Sequence, residues 1–421
     1  FIAFSFVLFL RYTNAHILPF AVAPDILLSA TIFAAAACFF RISREPDQRR
    51  FYVALGCALA LGYYAKSIMF PAAICLLGLL VVCHYRSGGH VRNVLIAAAV
   101  MLLLCAPQIL AVSARVGHVS FGEAGRLNYL WWVQQIRQFQ GWTGTPGGDT
   151  PVHGPRLILS DPEVLEFGTP IAGTYPLWYD PAYWYAGANV QFEPEKQWGA
   201  FKANLVFFDD YFWELFFPAV GLVTLGALSL FRRTRPGLAE WCFVLWPLAV
   251  LLMYLLLHIE FRYIAPWLIL IFIGCYSGIL VRNGIAERAL LVLLAVTFIS
   301  PRLVDLAAAT RLLVKQRGLS GDMLVARELE AMGIKRGDAI ATVGDGFQHY
   351  YAYLAGVHIV AQISNPKKFW SLTPSHVIVV EQTLAQTGAK ALLTFNRPPG
   401  FQPNNWHSVP GTSYSILRLK E

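Results

Sequence analysis

The chain has 421 residues, of which 56% are apolar and only 14% charged, and its mean hydropathy is +0.51. This composition excludes an ordinary soluble domain and predicts a polytopic, α-helical membrane protein. The net charge of +8 resides largely in short arginine-bearing linkers suited to anionic lipid headgroups, so nucleic acid is excluded as a partner and membrane lipids are expected instead.

In chain order, apolar stretches run over Pro24 to Phe40, Phe51 to Tyr64, Phe70 to Cys83, Val94 to Ser113, Tyr211 to Phe231, Leu238 to Leu257, Tyr263 to Val281 and Ala289 to Ser300, with Phe1 to Leu10 as a partial helix. Two of them, Phe51 to Tyr64 and Phe70 to Cys83, fall short of the roughly 20 residues a helix needs to cross hydrocarbon. They either borrow polar flanks or form one broken element. The chain opens at Phe1 in mid-hydrophobe, with neither a basic n-region nor a small-residue cleavage site, and is expected to be a fragment. The predicted organisation is membrane helices over 1–115, an aromatic-rich loop over 116–208, four further membrane helices over 209–300 and a small α/β domain over 301–421.

Arginine sets the orientation. Arg41, Arg44, Arg49, Arg50, Arg86, Arg92, Arg232, Arg233, Arg235, Arg282 and Arg288 all fall in alternate linkers, whereas the other short linkers hold only Arg11, Lys66 and Arg262. By the positive-inside rule the first set is cytoplasmic. The Lys66 turn, the long loop, the His258 to Arg262 turn and the tail then lie on the outer side. Cys38, Cys57, Cys75, Cys83, Cys105, Cys242 and Cys275 all sit in apolar segments, so no disulfide framework or cysteine zinc site is predicted, and no metal.

The loop interleaves tryptophan and tyrosine with Gly- and Pro-rich turns such as TGTPGG, HGPR, SDPE and YDPAYW. Short interfacial helices are expected at Gly125 to Phe139 and Glu195 to Leu205. A loop this long is usually functional. Flat aromatic faces match the C–H faces of sugars, which makes Trp131, Trp142, Trp178, Tyr179 and Trp184, with His153, candidate sugar or acceptor contacts. An aromatic belt at headgroup level would account for the same rings.

Between two apolar segments the chain reads LHIEFRYIAPWL. Charge is expensive in lipid. Glu260 is placed to orient Arg262, a guanidinium can grip a phosphate bidentately, and Tyr263 can add a hydrogen bond. The alternative is an interfacial ion pair that anchors a turn, and Lys66 can equally snorkel. Asp25, at the outer start of a helix, is expected to cap it.

After Ser300 the pattern becomes helix at Met323 to Met332, strand at Ala339 to Val343, helix at Phe347 to Ala355, strand at Val357 to Gln362, helix at His376 to Gln386 and strand at Ala391 to Phe395, closing with Ser413 to Leu419. Such alternation predicts a small α/β domain. TVGDGF places Gly344 and Gly346 between strand and helix, but the dinucleotide fingerprint is incomplete and a tight turn is expected.

Three segments in order, VAPDILLSATIFAAAACFFRI, LGYYAKSIMFP and EFRYIAP, resemble marks of the bacterial polyprenyl-phosphate-sugar glycosyltransferases of the GT-C fold, the group that includes protein O-mannosyltransferases and lipid A aminoarabinose transferases. The resemblance extends to about Ser300. It implies an enzyme of the bacterial cytoplasmic membrane that moves a sugar from a polyprenyl-phosphate donor to a glycan, lipid or protein acceptor at the outer face. Lys66, Arg262 and Tyr263 would then hold the donor phosphate. Members of this family place their catalytic acid in a first outer loop that would precede Phe1, so no catalytic base is assigned. A flippase for a lipid-linked sugar and a membrane scaffold or sensor are the rival classes.

Overall fold

The computed structural model describes residues 9, 24–87, 91–136, 155–167, 188–211, 215–216, 219–220, 223, 238–279, 285, 288–289, 292–293, 295–296, 307, 311, 320–347, 349–399 and 405–419. The chain forms two compact units, Phe1–Gln134 with Phe192–Ala309 and Gln135–Gln191 with Thr310–Glu421.

The first unit is helical. Its elements are α1 (Asp25–Arg44), α2 (Arg49–Ala65), α3 (Met69–Ser87), α4 (Val91–Val116), α5 (Ala124–Asn128), a π-helical turn at Tyr129–Val133, α6 (Pro194–Asp210), α7 (Leu238–Leu257) and α8 (Phe261–Ile279). Three stretches, Asp25–Arg44, Met69–Arg86 and Val91–Val116, are long and apolar enough to cross a membrane. Val244–Leu257 and Phe261–Tyr276 are apolar but shorter. More than half of each of the predicted segments Tyr211 to Phe231, Ala289 to Ser300 and Phe1 to Leu10 lies outside the described residues. The two short stretches of the sequence are separate helices, α2 and α3, because the backbone at Lys66 turns extended and ends α2 (φ −150°, ψ 134°).

These helices share one core, in which Ile32, Leu55, Leu59, Ala73, Ala97, Trp246, Ile264 and Trp267 are buried. Small residues let the backbones approach. A Cβ on Gly56 would lie 2.6 Å from the Ala97 carbonyl oxygen, so α2 and α4 touch where only glycine fits. Proline leaves α4, α7 and α8 intact as helices despite Pro107, Pro247 and Pro266 inside them, in keeping with well-packed apolar bundles. One end of the bundle is closed by neutral hydrogen bonds. There the Tyr52 hydroxyl donates to the Pro46 carbonyl at 2.9 Å, Asn93 Nδ2 donates to the same oxygen at 3.2 Å, and Tyr52 pairs with His84.

The second unit is built on a sheet of strands β1 (Arg156–Ser160), β2 (Glu163–Glu166), β3 (Ala339–Val343), β4 (His358–Ile363), β5 (Ala389–Phe395), β6 (His407–Ser408) and β7 (Tyr414–Arg418), in the order β1-β2-β4-β3-β5-β7-β6. The central strand β3 runs parallel to β4 and β5, and the outer pairs are antiparallel. Helices α9 (Gly321–Ala331), α10 (Tyr351–Ala355), α11 (Pro366–Trp370) and α12 (Pro374–Gln386) complete it. Val325 and Leu329 of α9 pack on one face of the sheet with Ile340 and Ile359, while Phe369, Val377 and Val380 pack on the other with Ala341 and Ile363. Burial on both faces explains the near-continuous apolar strands. The predicted tail elements are all present, most shifted by a few residues.

The sequence reading places 116–208 in an outer loop, whereas Arg156–Ser160 and Glu163–Glu166 form a hairpin that extends the sheet of the tail. Val164 lies opposite Ile363 and Leu165 opposite Gln362. With a period of two, Val164 and Leu165 enter opposite cores. The TVGDGF segment is the expected tight turn. Gly344 has φ +80°, its N–H donates to the Ile363 carbonyl, and Asp345 Oδ1 accepts from Phe347 N at 3.1 Å. Leu165→Ala is expected to destabilise the second unit by about 2–4 kcal/mol, read as faster hydrogen exchange in β4 and β3. Unchanged exchange would mean that the hairpin does not support the sheet.

Candidate functional site

The other end of the helical bundle is charged. Asp25 opens α1 behind Pro24, and the cap position of that helix makes no side-chain hydrogen bond. The expectation that Asp25 caps α1 is therefore corrected. Its carboxylate, 4% exposed, pairs through Oδ1 with Lys66 Nζ, and its Oδ2 lies 3.8 Å from Arg262 Nη1. Three segments far apart in the chain meet at this carboxylate: the start of α1, the end of α2 and the start of α8.

Each cation has further partners. The Lys66 ammonium stands 4.0 Å from the centre of the Tyr263 ring, a cation–π contact. Arg262 Nε donates to Glu260 Oε2 at 2.6 Å and Nη2 donates to the Tyr263 hydroxyl at 3.2 Å. Tyr263 thus accepts from Arg262 through its hydroxyl oxygen, which leaves its O–H as a donor. Glu260 is paired with Arg262 through Oε2, and its other oxygen, Oε1, lies 3.3 Å from His258 Nε2. Tyr254, buried in α7, stacks on Tyr263 at 5.7 Å.

Burial by itself would raise Glu260, but the hydrogen bonds from His258 and Arg262 and their charge outweigh it and hold the carboxyl at about 2. For Lys66, burial draws the ammonium below its usual value against the opposing pull of Asp25. Two acidic side chains, Asp25 and Glu260, thus face two basic ones, Lys66 and Arg262. The side chains of Arg262 and Glu260 are each 37% exposed and that of Lys66 is 22% exposed, so exposure falls from Arg262 through Lys66 to the buried Asp25.

The turn carrying His258 and Glu260 is held from two directions. The last carbonyls of α7 have no helical partners, and α6 supplies them: Gln197 Nε2 donates to Leu256 at 2.6 Å, and Asn204 Nδ2 donates to Leu255 at 2.9 Å and to Leu257 at 3.3 Å. From the loop after α4, Trp132 lies flat on His258, with ring centres 3.7 Å apart and planes 1° from parallel. The helix predicted over Gly125 to Phe139 is in fact α5 followed by the π-helical turn, in which Gln134 N bonds the Tyr129 carbonyl. That turn sends Trp131 inward, 8% exposed, and leaves its neighbour Trp132 37% exposed. Trp131 is accordingly a core residue and not a surface ring for sugar. Trp142, His153, Trp178, Tyr179 and Trp184 lie outside the described residues.

The structure thus joins Lys66, Glu260, Arg262 and Tyr263 in one cluster and adds Asp25, His258, Trp132 and Tyr254 to it. The signal for Asp25 was its place in a motif beside two others; Trp132 had none stronger than its membership of an aromatic loop. Among the described residues no group of three or more His, Cys, Asp or Glu side chains is placed to hold a metal ion. No family model, no curated protein and no solved structure matches the chain.

A partly exposed arginine and a largely buried lysine, both held by Asp25, are groups of the kind that can bond an anion. Removing the buried partner should be costly: Asp25→Ala is expected to destabilise the first unit by up to about 3–5 kcal/mol, seen as a lower Tm in detergent. Adding Lys66→Met to Asp25→Ala should recover part of that loss, and additive effects would show that the two do not act as a pair. The depressed Glu260 carboxyl also fixes a sign. An acid with a lowered native pKa stabilises the fold above its ordinary value and loses that contribution as pH falls from 4.5 towards about 2. Glu260→Gln should flatten this acid limb in a pH series of Tm, and an unchanged limb would contradict the Glu260–Arg262 pairing.

Proposed function

We propose that the protein is a polytopic, GT-C-like membrane glycosyltransferase that moves a sugar from a polyprenyl-phosphate donor to an acceptor hydroxyl or amine at the outer face of the cytoplasmic membrane. The observation that carries this reading is the convergence of Asp25, Lys66 and Arg262, one from each of the three segments that bear the resemblance, at a single end of the bundle. Nothing in the primary order of these segments demands that they meet. A second support is sidedness: the charged end lies opposite the end bearing Arg44, Arg49 and Arg92, the expected cytoplasmic side.

In the reaction, the acceptor oxygen or nitrogen attacks the anomeric carbon. The bond from that carbon to the phosphate oxygen breaks, and its electron pair leaves with polyprenyl phosphate, which gains a negative charge. Arg262 and Lys66 neutralise that charge as it develops. Glu260 keeps the guanidinium aimed, and Asp25 fixes the position of both cations from behind. The proton lost by the acceptor passes to a base outside this cluster.

The test uses the full chain in lipid vesicles with a panel of polyprenyl-phosphate sugars, following release of the lipid phosphate and movement of the intact lipid between leaflets. Acceptor-dependent release is expected, with Lys66→Ala and Arg262→Ala each lowering it by about 10²-fold. Movement without release would replace the transferase with a flippase, and neither signal would replace it with a scaffold.

A further inference from the structure

Helix α6 meets the end of α7 through amides and turns apolar side chains outward. Gln197 and Asn204, two turns apart, both bond carbonyls between Leu255 and Leu257. Their separation advances about 10 Å along α6, whereas those carbonyls lie within about 3 Å of one another along the axis of α7, so α6 crosses the end of α7 instead of running beside it. Just past α6, Tyr211 packs on Phe261 at the start of α8, with ring centres 4.7 Å apart. The helix therefore spans the α7–α8 turn that carries His258 and Glu260.

On the flank of α6 next to its two amides, helical spacing lines up Trp198, Phe201, Leu205 and Phe208. Trp198 is 58% and Leu205 43% exposed, and the Trp198 ring stacks on that of Phe201 at 5.4 Å. The adjoining stripe, Glu195, Lys202 and Asp209, is exposed and charged. A single exposed leucine would be ordinary, but this flank continues a larger apolar surface. Along α7, Trp241, Leu245, Leu248, Leu252 and Leu256 recur at helical spacing and are all exposed. That row ends at Leu256, whose carbonyl is the one that Gln197 bonds.

We propose that α6 is a membrane-surface helix whose partner is the phospholipid leaflet at the charged end of the bundle. Trp198 and Leu205 enter the boundary between headgroups and acyl chains, continuous with the lipid-facing row of α7, while Glu195, Lys202 and Asp209 stay in the headgroup and water layer. Tryptophan favours that boundary, and a lysine stem can lie along it with its ammonium among the lipid phosphates. A helix of 17 residues with one apolar flank and one charged stripe lies on a membrane instead of crossing it. Because α6 also caps the turn of His258 and Glu260, its depth in the leaflet sets the depth of the charged cluster. The inference rests on the reading of the helical unit as embedded in a membrane.

The test uses the full chain in vesicles of phosphatidylethanolamine and phosphatidylglycerol, with a ketone-bearing p-acetylphenylalanine replacing Trp198, Leu205 or Leu252 in turn and carrying a nitroxide. Power-saturation EPR compares relaxation by oxygen, which concentrates among acyl chains, with relaxation by a neutral nickel chelate, which stays in water. The oxygen-to-nickel ratio is expected to exceed one at positions 198 and 205 and to be larger at 252, deeper in the bilayer. A ratio below one at 198 or 205, with 252 still in lipid, would overturn the inference and leave the membrane reading standing. Weak relaxation by both reagents at those two positions would overturn it as well, by showing that protein covers the flank. A ratio below one at 252 would remove the membrane reading, and this inference with it.

Discussion

A carboxylate removed from water inside an apolar bundle needs cations beside it, and the helical unit is arranged so that Asp25 has two. The first residue of α1 must meet the residue that ends α2 and the second residue of α8. Only an arrangement that brings these three ends to one side of the bundle satisfies that requirement. The close passage of α2 against α4 at Gly56, the extended backbone at Lys66 and the capping of α7 by Gln197 and Asn204 all serve to set those ends at the same level.

The two ends of the bundle solve the same problem differently. At one, the free carbonyl of Pro46 takes hydrogen bonds from Tyr52 and Asn93, while charged groups such as Arg41, paired with Glu45, stay at the exposed surface. At the other, polar groups are charged, balanced and partly exposed. A purely structural closure would favour the first solution, since neutral hydrogen bonds avoid the desolvation cost of ions. Retaining ions there is the costlier choice, and on the proposed reading it is the arrangement that provides an anion with donors already in place.

The sequence makes the periodic elements legible and leaves the juxtapositions hidden. Apolar runs locate α1, α3, α4, α7 and α8 because burial against lipid or protein imposes it residue by residue, and β3, β4 and β5 are visible because a strand covered on both faces is apolar throughout. The β1–β2 hairpin is not visible: its strands are four and five residues long, lie among turn residues and gain their identity from pairing with β4, distant in sequence. Asp25 reads locally as a cap because helix starts favour acids; its partners come from α2 and α8, which no local pattern reports. Trp131 and Trp132 are adjacent and chemically identical, and the π-helical turn that sends one inward and the other outward leaves no mark in composition or spacing.

The balance of charge in the cluster bears on how such a site would catalyse. Two carboxylates against two cations give no large net positive field, so a singly charged phosphodiester in its ground state gains only modestly from entering. As the glycosidic bond breaks, the phosphate moves toward two negative charges, and its attraction to Lys66 and Arg262 grows while the carboxylates behind them stay fixed. Interactions that strengthen only along the reaction coordinate lower the barrier, whereas interactions already complete in the bound substrate do not. A site with excess positive charge would hold both the donor and the released lipid phosphate too tightly. On the proposed reading, Asp25 and Glu260 therefore do more than anchor the cations: they moderate the ground-state grip so that the preference falls on the transition state, and they allow the product to leave.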